Sequence, residues 1–304
     1  MDTGADSRRA RRNLARTAAR FPSHAQLPRE LATRLLDHLD GLRIAPNRIL
    51  CLSGGPGLLT EALTRLFPRA DIVHADPVPA LLAQVATRSR LRQLLGARPP
   101  LRLGCDPESL PLRNGSIDLL VAPMVLPWAS PARFFAEARR VLGQDGLLLF
   151  ATAGPDTLRE WRRALLQARP DWPEPLGHSV LRLPDMHDLA DAASHAGLAS
   201  PVVDMEYLTI HYPDLPSLLG DLRVAGAGNA LFERPQGLMT PRALGRLKAL
   251  LEAQRQPEGL PQTLEAIYGH AWNTRPLIDG AGRPVIPIRV ADARPGGRPE
   301  PGRG

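Results

Sequence analysis

Glycines and carboxylates stand at the ends of successive apolar segments in the first third of the chain. Gly55 and Gly57 follow an apolar segment, Asp76 ends the next one, and Asp106 follows the third. A glycine loop lets a nucleotide-like cofactor approach the backbone, and a carboxylate at the second strand end can accept both ribose hydroxyls. The third carboxylate can accept from an adenine amino group. Each feature alone also fits an ordinary turn, so the prediction of a nucleotide site depends on their order.

These residues need a scaffold that brings several strand ends together, and the chain predicts one. Short apolar segments alternate with amphipathic ones, which favours an α/β fold with a parallel doubly wound sheet and helices on both faces. The continuous apolar run 117–122 is typical of a strand buried on both sides. The predicted strands are 48–52, 71–75, 100–104, 117–122 and 146–152, and the helices between them are 58–66, 79–87 and 131–142.

Further elements precede and follow this core. Residues 6–20 and 28–39 are predicted to be helices, because apolar side chains recur at helical spacing in the second. Two late strands separated by helices predict an antiparallel edge of the sheet and a helical insertion late in the chain. The late strands are 201–212 and 263–272, and the late helices are 157–168, 185–196, 215–224 and 241–254.

The chain is expected to form one main domain with additions at both ends. Residues 1–45 are predicted to be N-terminal helices that cap the site, and residues 46–290 the main domain. Within it, 46–152 would be the cofactor half, and 153–290 the substrate half with the helical insertion. Residues 291–304 are rich in glycine, proline and arginine and are predicted to be disordered.

The 304-residue chain is basic, with a formal net charge of +7. Lys248 is the only lysine, so arginine carries almost all of the positive charge. This pattern indicates either a composition bias of the genome or a surface for an acidic partner. Aromatic residues make up only 4% of the chain, so stacking on single-stranded nucleic acid is poorly supported.

Cysteine usage and hydropathy bear on the compartment. Cys51 and Cys105 are too few for a disulfide framework or a zinc-ligand cluster, which favours a reducing cytoplasm and no metal. No apolar signal core follows the arginine-rich first residues, and no apolar run reaches the length of a membrane span. We therefore expect a cytoplasmic protein without a membrane partner. The oligomeric state does not follow from the sequence.

One stretch carries a family resemblance. Residues 146–160 read GLLLFATAGPDTLRE, an apolar strand followed by a glycine–proline turn and a helix start. The stretch resembles the biotin-synthesis methyltransferases that esterify a malonyl group on acyl carrier protein. Later segments are similar to the same family: 184–188 (PDMHD), 204–206 (DME), 221–223 (DLR) and 268–272 (YGHAW). The resemblance implies a class I methyltransferase, Rossmann-like fold.

The resemblance also implies the reaction. The protein would transfer a methyl group from S-adenosylmethionine to the free carboxyl of a malonyl thioester, on acyl carrier protein or coenzyme A. A carboxylate is already a nucleophile toward a sulfonium methyl group, so the reaction needs positioning and removal of water more than acid–base catalysis. The esterified chain could then be elongated toward pimelate.

Site residues follow from the resemblance together with the strand-end pattern. Arg223 is the candidate to recognise the malonyl carboxylate, because a guanidinium offers a planar fork. His187 and His270 would assist by hydrogen bonding. Cofactor binding falls to Gly55, Gly57, Asp76 and Asp106, and substrate binding to Asp156, Thr157, Asn229 and Trp272. The carrier-protein surface should be basic, with candidate clusters at Arg8, Arg9, Arg11 and Arg12 and at Arg159, Arg162 and Arg163.

The chain departs from the family pattern in the cofactor loop. Cys51 stands where these enzymes usually carry an acidic residue and Ser53 where they carry glycine, while Pro123 and Pro127 replace polar amides. Two alternatives therefore stand beside the enzyme. One is a non-catalytic paralogue that acts as a binding or regulatory protein. The other is a methyltransferase-fold enzyme or assembly factor that acts on a protein or RNA.

Overall fold

A seven-stranded sheet forms the centre of the computed structural model. The structure describes residues 6–21, 23–40, 42, 44–52, 55, 57–85, 100–168, 183–226, 239–274, 277–278 and 284–285. The sheet order is β3-β2-β1-β4-β5-β7-β6. Its strands are β1 (Arg48–Leu52), β2 (Asp71–Asp76), β3 (Leu101–Gly104), β4 (Ile117–Pro123), β5 (Leu142–Ala153), β6 (Ala199–Tyr212) and β7 (Leu260–Asn273).

Strand directions agree with the predicted sheet. β1 to β5 run parallel to one another, and β7 runs antiparallel to both β5 and β6. The parallel strands direct their carboxyl ends to one edge, where α/β folds place ligands. The predicted mostly parallel sheet with an antiparallel edge is confirmed.

Helices cover both faces of the sheet because β1 and its neighbours are apolar on both sides. Ile49 and Cys51 pack into one buried cluster, while Leu50 and Leu52 pack into the other. The helices are α1 (Ser7–Thr17), α2 (Gln26–Asp37), α3 (Leu58–Leu66), α4 (Pro79–Leu82), α5 (Pro131–Val141), α6 (Arg159–Ala168), α7 (Met186–His195), α8 (Leu215–Val224) and α9 (Pro241–Glu252).

Some element boundaries differ from the predicted ones. The helix predicted at 79–87 ends at Leu82, because the chain continues in tight turns in which the N–H of Val85 donates to the carbonyl of Leu82 (3.2 Å). β5 begins at Leu142, earlier than predicted, since the chain leaves α5 directly in an extended conformation. The remaining predicted elements overlap the observed ones.

The N-terminal segment lies over the carboxyl edge of the sheet. After α1, a short 3₁₀ turn (Ala18–Arg20) leads to the buried ring of Phe21. Ala18 and Phe21 form a small apolar cluster with Val78, Leu81 and Val224, which join the chain after β2 to α8. The first segment therefore packs beside the second strand end and against α8.

Residues 1–274 and 275–304 form separate units. The second unit contributes one antiparallel pair, β8 (Leu277–Ile278) and β9 (Pro284–Val285). The tail predicted at 291–304 lies outside the described residues. Within the described part of the chain, no helix combines the length and apolar character that a membrane span requires.

Candidate active site

Two adjoining clefts lie at the carboxyl edge of the sheet. The first, called here the cofactor cleft, encloses about 780 Å³ including its open mouth. Gly55, Asp76 and Pro123 form its floor at the ends of β1, β2 and β4. Its other walls come from the N-terminal segment, from the residues after β4 and from α8; among them are Ser7, Ala10, Arg11, Leu14, Phe21, Met124, Val125, Trp128, Val224 and Ala225.

The loop between β1 and α3 has glycine where side chains do not fit. Gly57 has φ +87° directly before α3, and its N–H donates to the carbonyl of Gly55 (2.7 Å). Gly55 has φ +65°, and a Cβ there would overlap the ring of Phe21. Both positions therefore require glycine, as a loop that bends sharply under a ligand does. Gly54, Ser53 and Pro56 lie outside the described residues.

Asp76 ends β2 and lies in the cofactor cleft. Asp76 is only 3% exposed, and its Oδ1 accepts a hydrogen bond from the N–H of Val78 (2.8 Å). Burial raises the pKa of this carboxyl to about 7, although the Val78 N–H and the charge of Arg11 act in the opposite direction. A ligand that donates hydrogen bonds would therefore find Asp76 readily ionised only at neutral pH and above.

Asp106 follows β3 and is paired with the N-terminal helix. Its Oδ2 accepts from the guanidinium of Arg11, and its Oδ1 accepts from the N–H of Glu108 (3.0 Å). Burial opposes ionisation, but these contacts hold the pKa of Asp106 below its usual value. Arg11 lines the cofactor cleft, so this ion pair joins α1 to the third strand end. The adenine contact expected of Asp106 stays a prediction.

A buried polar cluster lies beside the glycine loop, and the sequence did not indicate it. Thr60 of α3 makes a 2.8 Å hydrogen bond with Nδ1 of His74 on β2, and Cys51 on β1 pairs in register with His74. Burial lowers the pKa of His74 to about 4 and raises that of Cys51 to about 12. Both side chains are therefore neutral, and Cys51 offers no charge to a ligand.

The second cleft, called here the acyl cleft, is almost entirely apolar. Among the described residues of its lining, Thr157 carries the only hydroxyl group. The other lining residues include Leu27, Leu31, Pro127, Leu158, Trp161, Leu183, Leu222 and Leu264. Met124, Trp128 and Ala225 line both clefts. A group bound in one cleft can therefore meet a group bound in the other at these three residues.

The predicted turn after β5 is held by the opposite strand β7. Thr157 Oγ1 donates to the carbonyl of Glu265 (3.2 Å) and accepts from its N–H (3.2 Å). The N–H of Asp156 donates to the Glu265 carboxylate (2.5 Å), while the Asp156 carboxylate accepts from Tyr207 (3.1 Å). Thr157 thus enters the acyl cleft wall from a fixed turn, whereas Asp156 points toward β6.

The predicted catalytic residues do not line either cleft. Arg223 is exposed on α8, and its carbonyl accepts from Thr17 Oγ1 (3.2 Å). His187 is 83% exposed in side chain and pairs with Asp185 (2.9 Å), the N-cap of α7. His270 is half-buried near the end of β7, and burial lowers its pKa.

Two predicted substrate residues also lie elsewhere. Trp272 pairs in register with Leu147, early in the apolar part of β5 and away from its carboxyl end. Asn229 lies outside the described residues. Strand direction explains the position of Trp272: because β7 runs antiparallel, its later residues recede from the edge that holds the clefts.

The sequence analysis gave no role to three residues that lie at the clefts or behind their walls. Phe21 closes over Gly55, and Met124 stands at the junction of the clefts with an unusual φ of +56°. Asp221 is buried behind the cleft walls and accepts from the N–H of Gln26 (2.8 Å) and from Tyr212 (2.7 Å). A non-glycine residue with positive φ leaves no clear mark in sequence.

Among the described residues, no group of three acidic, histidine or cysteine side chains could hold a metal.

The chemistry of the cofactor cleft fits a nucleoside. Gly55 lies in the floor of the cleft, a buried carboxylate at Asp76 can accept hydroxyl groups, and apolar walls suit an aromatic base. Asp106, beside the same cleft, retains hydrogen-bonding capacity at its carboxylate. The residues present are therefore those that an adenosine-bearing group requires.

Comparisons with known proteins agree with this geometry. Residues 50–150 match the family model described as "Methyltransferase domain". The chain is 38% identical over 285 residues to malonyl-acyl-carrier-protein O-methyltransferase of Laribacter hongkongensis, covering 90% of this chain and 94% of that protein. It is 36% identical over 284 residues to the enzyme of that name from Gallionella capsiferriformans, covering 92% and 96%.

The fold also has solved counterparts. A putative methyltransferase from Bacillus halodurans superimposes with a TM-score of 0.55 at 14% identity, covering 80% of this chain and 99% of that one. At this identity the likeness concerns the fold alone. Together with the matching methyltransferase domain, it confirms the predicted class I methyltransferase fold.

Proposed function

Because the chain belongs to the malonyl-acyl-carrier-protein O-methyltransferase family, we propose that it methylates the free carboxyl of a malonyl thioester on acyl carrier protein. S-adenosylmethionine is the methyl donor. The resemblance places the reaction in biotin synthesis, where a masked carboxyl lets the chain be elongated toward pimelate. The free thiols of Cys51 and Cys105 support a cytoplasmic site of action.

The meeting of the two clefts is the observation that carries this proposal. The cofactor cleft offers the groups that a nucleoside needs, and the acyl cleft offers an apolar channel. Met124, Trp128 and Ala225 belong to both. Methyl transfer requires donor and acceptor in line within a few ångströms, and a shared wall provides that juxtaposition.

The chain would act by holding the reactants and excluding water. Bound S-adenosylmethionine supplies a methyl group on a positively charged sulfur, which a carboxylate can accept without a catalytic base. Asp76 would accept the ribose hydroxyls, and Gly55 would let the donor lie against the backbone. Leu27, Leu31 and Trp161 would strip water from the acyl carboxylate, which strengthens its attack.

Direct charge recognition of the malonyl carboxylate remains a separate proposal. Arg223 follows Leu222, an acyl cleft residue, on α8, but its side chain is exposed. His187 on α7 and His270 on β7 line neither cleft. We therefore attribute the rate mainly to positioning and desolvation, and keep Arg223 as the candidate cation near the mouth.

The test is methyl transfer to malonyl-acyl carrier protein with S-adenosylmethionine carrying a labelled methyl group. We expect label in a base-labile ester on malonyl-carrier protein and none on acetyl-carrier protein, which lacks the free carboxyl. Equal label on both, or none above the enzyme-free control, would contradict the proposal. Titration with S-adenosylhomocysteine separates the alternative: a non-catalytic paralogue without a cofactor site would not bind it.

A further inference from the structure

Helix α1 has two faces of different character. Ser7, Ala10, Arg11 and Leu14, at intervals of three and four residues, line the cofactor cleft. Ala10 is fully buried, and Arg11 is paired with Asp106. One side of α1 is therefore committed to closing the cleft.

The opposite side of α1 carries a row of arginines, called here the arginine stripe: Arg8, Arg12, Arg16 and Arg20. All four residues are exposed and recur every four positions, the last one in the 3₁₀ turn that follows the helix. At a rise of about 1.5 Å per residue, Arg8 and Arg16 are about 12 Å apart along the axis. The stripe therefore presents a continuous basic surface about three turns long.

The guanidinium groups of the stripe differ from that of Arg11 in their contacts with the described residues. Across the described residues, none of the four forms a hydrogen bond or ion pair through its guanidinium group, and α1 itself contains no carboxylate. The second basic cluster expected from the sequence differs. Arg159 pairs with Glu160 (3.1 Å) and lies over the Tyr207 ring, and Arg162 faces Asp156 at 3.9 Å. Carboxylates therefore neutralise much of the positive charge of this second cluster. The arginine stripe is the better candidate for a surface that binds an acidic partner.

The location of the stripe relates it to the acyl cleft. α1 packs against α8, which supplies Leu222 to the acyl cleft and Val224 to the cofactor cleft. A partner held on the outer face of α1 would lie beside the elements that enclose both clefts. Its bound acyl group would then have a short path to the shared wall.

We propose that the arginine stripe is the docking surface for an acidic face of the carrier protein that bears the acyl substrate. The inference rests on the proposed function, which supplies a carrier-bound thioester, and adds where that carrier binds. Acyl carrier proteins are acidic, so the charges of the two surfaces are complementary and steer the encounter. A membrane surface is less suited, because the apolar side of α1 is packed against the protein rather than free to insert.

The test compares two charge-reversed double variants. Arg8→Glu/Arg12→Glu alters the second and sixth residues of α1, and Arg242→Glu/Arg246→Glu alters the second and sixth residues of α9. All four residues are exposed, and both variants change the net charge equally. Each is assayed with malonyl-carrier protein and with malonyl-N-acetylcysteamine, a small thioester without a protein partner.

We expect the stripe variant to lose about tenfold or more in kcat/KM toward malonyl-carrier protein, chiefly through KM, because reversing two charges at a docking surface weakens association. Its rate with the small thioester and its affinity for S-adenosylhomocysteine should match wild type, which shows that α1 remains folded over the cleft. The α9 variant should match wild type with both substrates. Raising the salt concentration should shrink the difference for carrier protein only.

Several results would overturn the inference. Equal losses in the two double variants would mean that net charge alone matters, and parallel losses on both substrates would mean damage to the site. Direct calorimetric binding of carrier protein is independent of turnover, so it tests the stripe even if methyl transfer fails. Stripe-dependent binding of RNA or anionic vesicles without binding of carrier protein would assign the surface to another partner. Inactivity toward both thioesters with intact carrier binding would instead contradict the proposed function.

Discussion

At the scale of single residues, the two carboxylates of the cofactor cleft differ through their surroundings. Asp76 is buried with one N–H donor, so its pKa is raised to about 7. Asp106 is also desolvated, yet the Arg11 guanidinium and the Glu108 N–H lower its pKa. Residues of one type at equivalent strand ends therefore lose their protons in different pH ranges.

This difference predicts a pH-dependent affinity for S-adenosylhomocysteine. The ribose hydroxyls donate to an ionised Asp76, so affinity should rise as pH increases through about 7. By linkage, the raised pKa also means that the stability Asp76 contributes to the unliganded fold is fully present below the ordinary pKa of 3.8 and is lost as pH rises from there through about 7. Asp76→Asn should weaken binding about tenfold and remove the pH dependence, measured by calorimetry between about pH 6 and about pH 8.

Asp106→Asn is the matched control, because its carboxyl titrates below this window. That variant should retain the pH dependence of wild type, whatever its affinity. A pH dependence that persists in Asp76→Asn would show that another group is responsible.

The positions of some site residues could be predicted from local sequence, whereas their roles in cofactor binding stay predictions. Gly55 and Asp76 were expected at successive strand ends, and both lie in the cofactor cleft. Trp272 was expected to bind the substrate because the segment 268–272 resembles the family, but strand direction carries it away from the clefts. Phe21 could not be assigned, since its contact with Gly55 depends on how the N-terminal segment folds back over the sheet.

At the scale of elements, α2 depends on a carboxylate from another helix. The residue before α2 is Ala25, in the left-handed conformation with φ +76° and with no side-chain cap of its own. Asp221 of α8 takes that role by accepting from the N–H groups of Ala25, Gln26 and Leu27, and Tyr212 donates to it as well. From the sequence, Arg223 of the same helix was the candidate to recognise the malonyl carboxylate. In the structure Arg223 is exposed, whereas Asp221 is buried and caps α2.

This network predicts that Asp221→Ala destabilises the fold by about 3 kcal/mol, because several buried donors lose their acceptor at once. Tyr212→Phe should cost about 1 kcal/mol, since it removes one of these bonds. Urea unfolding followed by circular dichroism measures both values. Asp214→Ala, which removes an exposed N-cap of α8, provides the reference at about 1 kcal/mol. An Asp221→Ala cost no larger than this reference would contradict the capping role.

At the scale of the whole molecule, the first unit contains the parts that the proposed reaction uses. Residues 1–274 include all seven strands of the large sheet and the described lining of both clefts. Residues 275–304 form the second unit. The sequence predicted the sheet from its alternating pattern, but it did not indicate a boundary at Thr274, because the antiparallel β7 merely continues an apolar pattern.

A chain that ends at Thr274 should therefore fold and bind S-adenosylhomocysteine within about twofold of the full-length affinity, since all described residues that line the two clefts precede Thr274. Thermal unfolding with and without the ligand measures both properties. A second truncation, ending before β7, is the control and should not fold, because β5 and β6 would lose their common neighbour. Failure of the first truncation to bind would mean that the second unit contributes to the cofactor cleft.

The position of β7 has a consequence for how the protein is made. β7 is the last of the seven sheet strands to be synthesised, yet it lies between β5 and β6. Until Asn273 has left the ribosome, both of these strands present an unpaired edge, which is the state in which nascent chains most readily associate with one another. The turn that bears Thr157 must likewise wait for Glu265. The clefts are thus completed only after β7 has been synthesised, and a chain released before that point would have the start of the cofactor loop without a finished pocket.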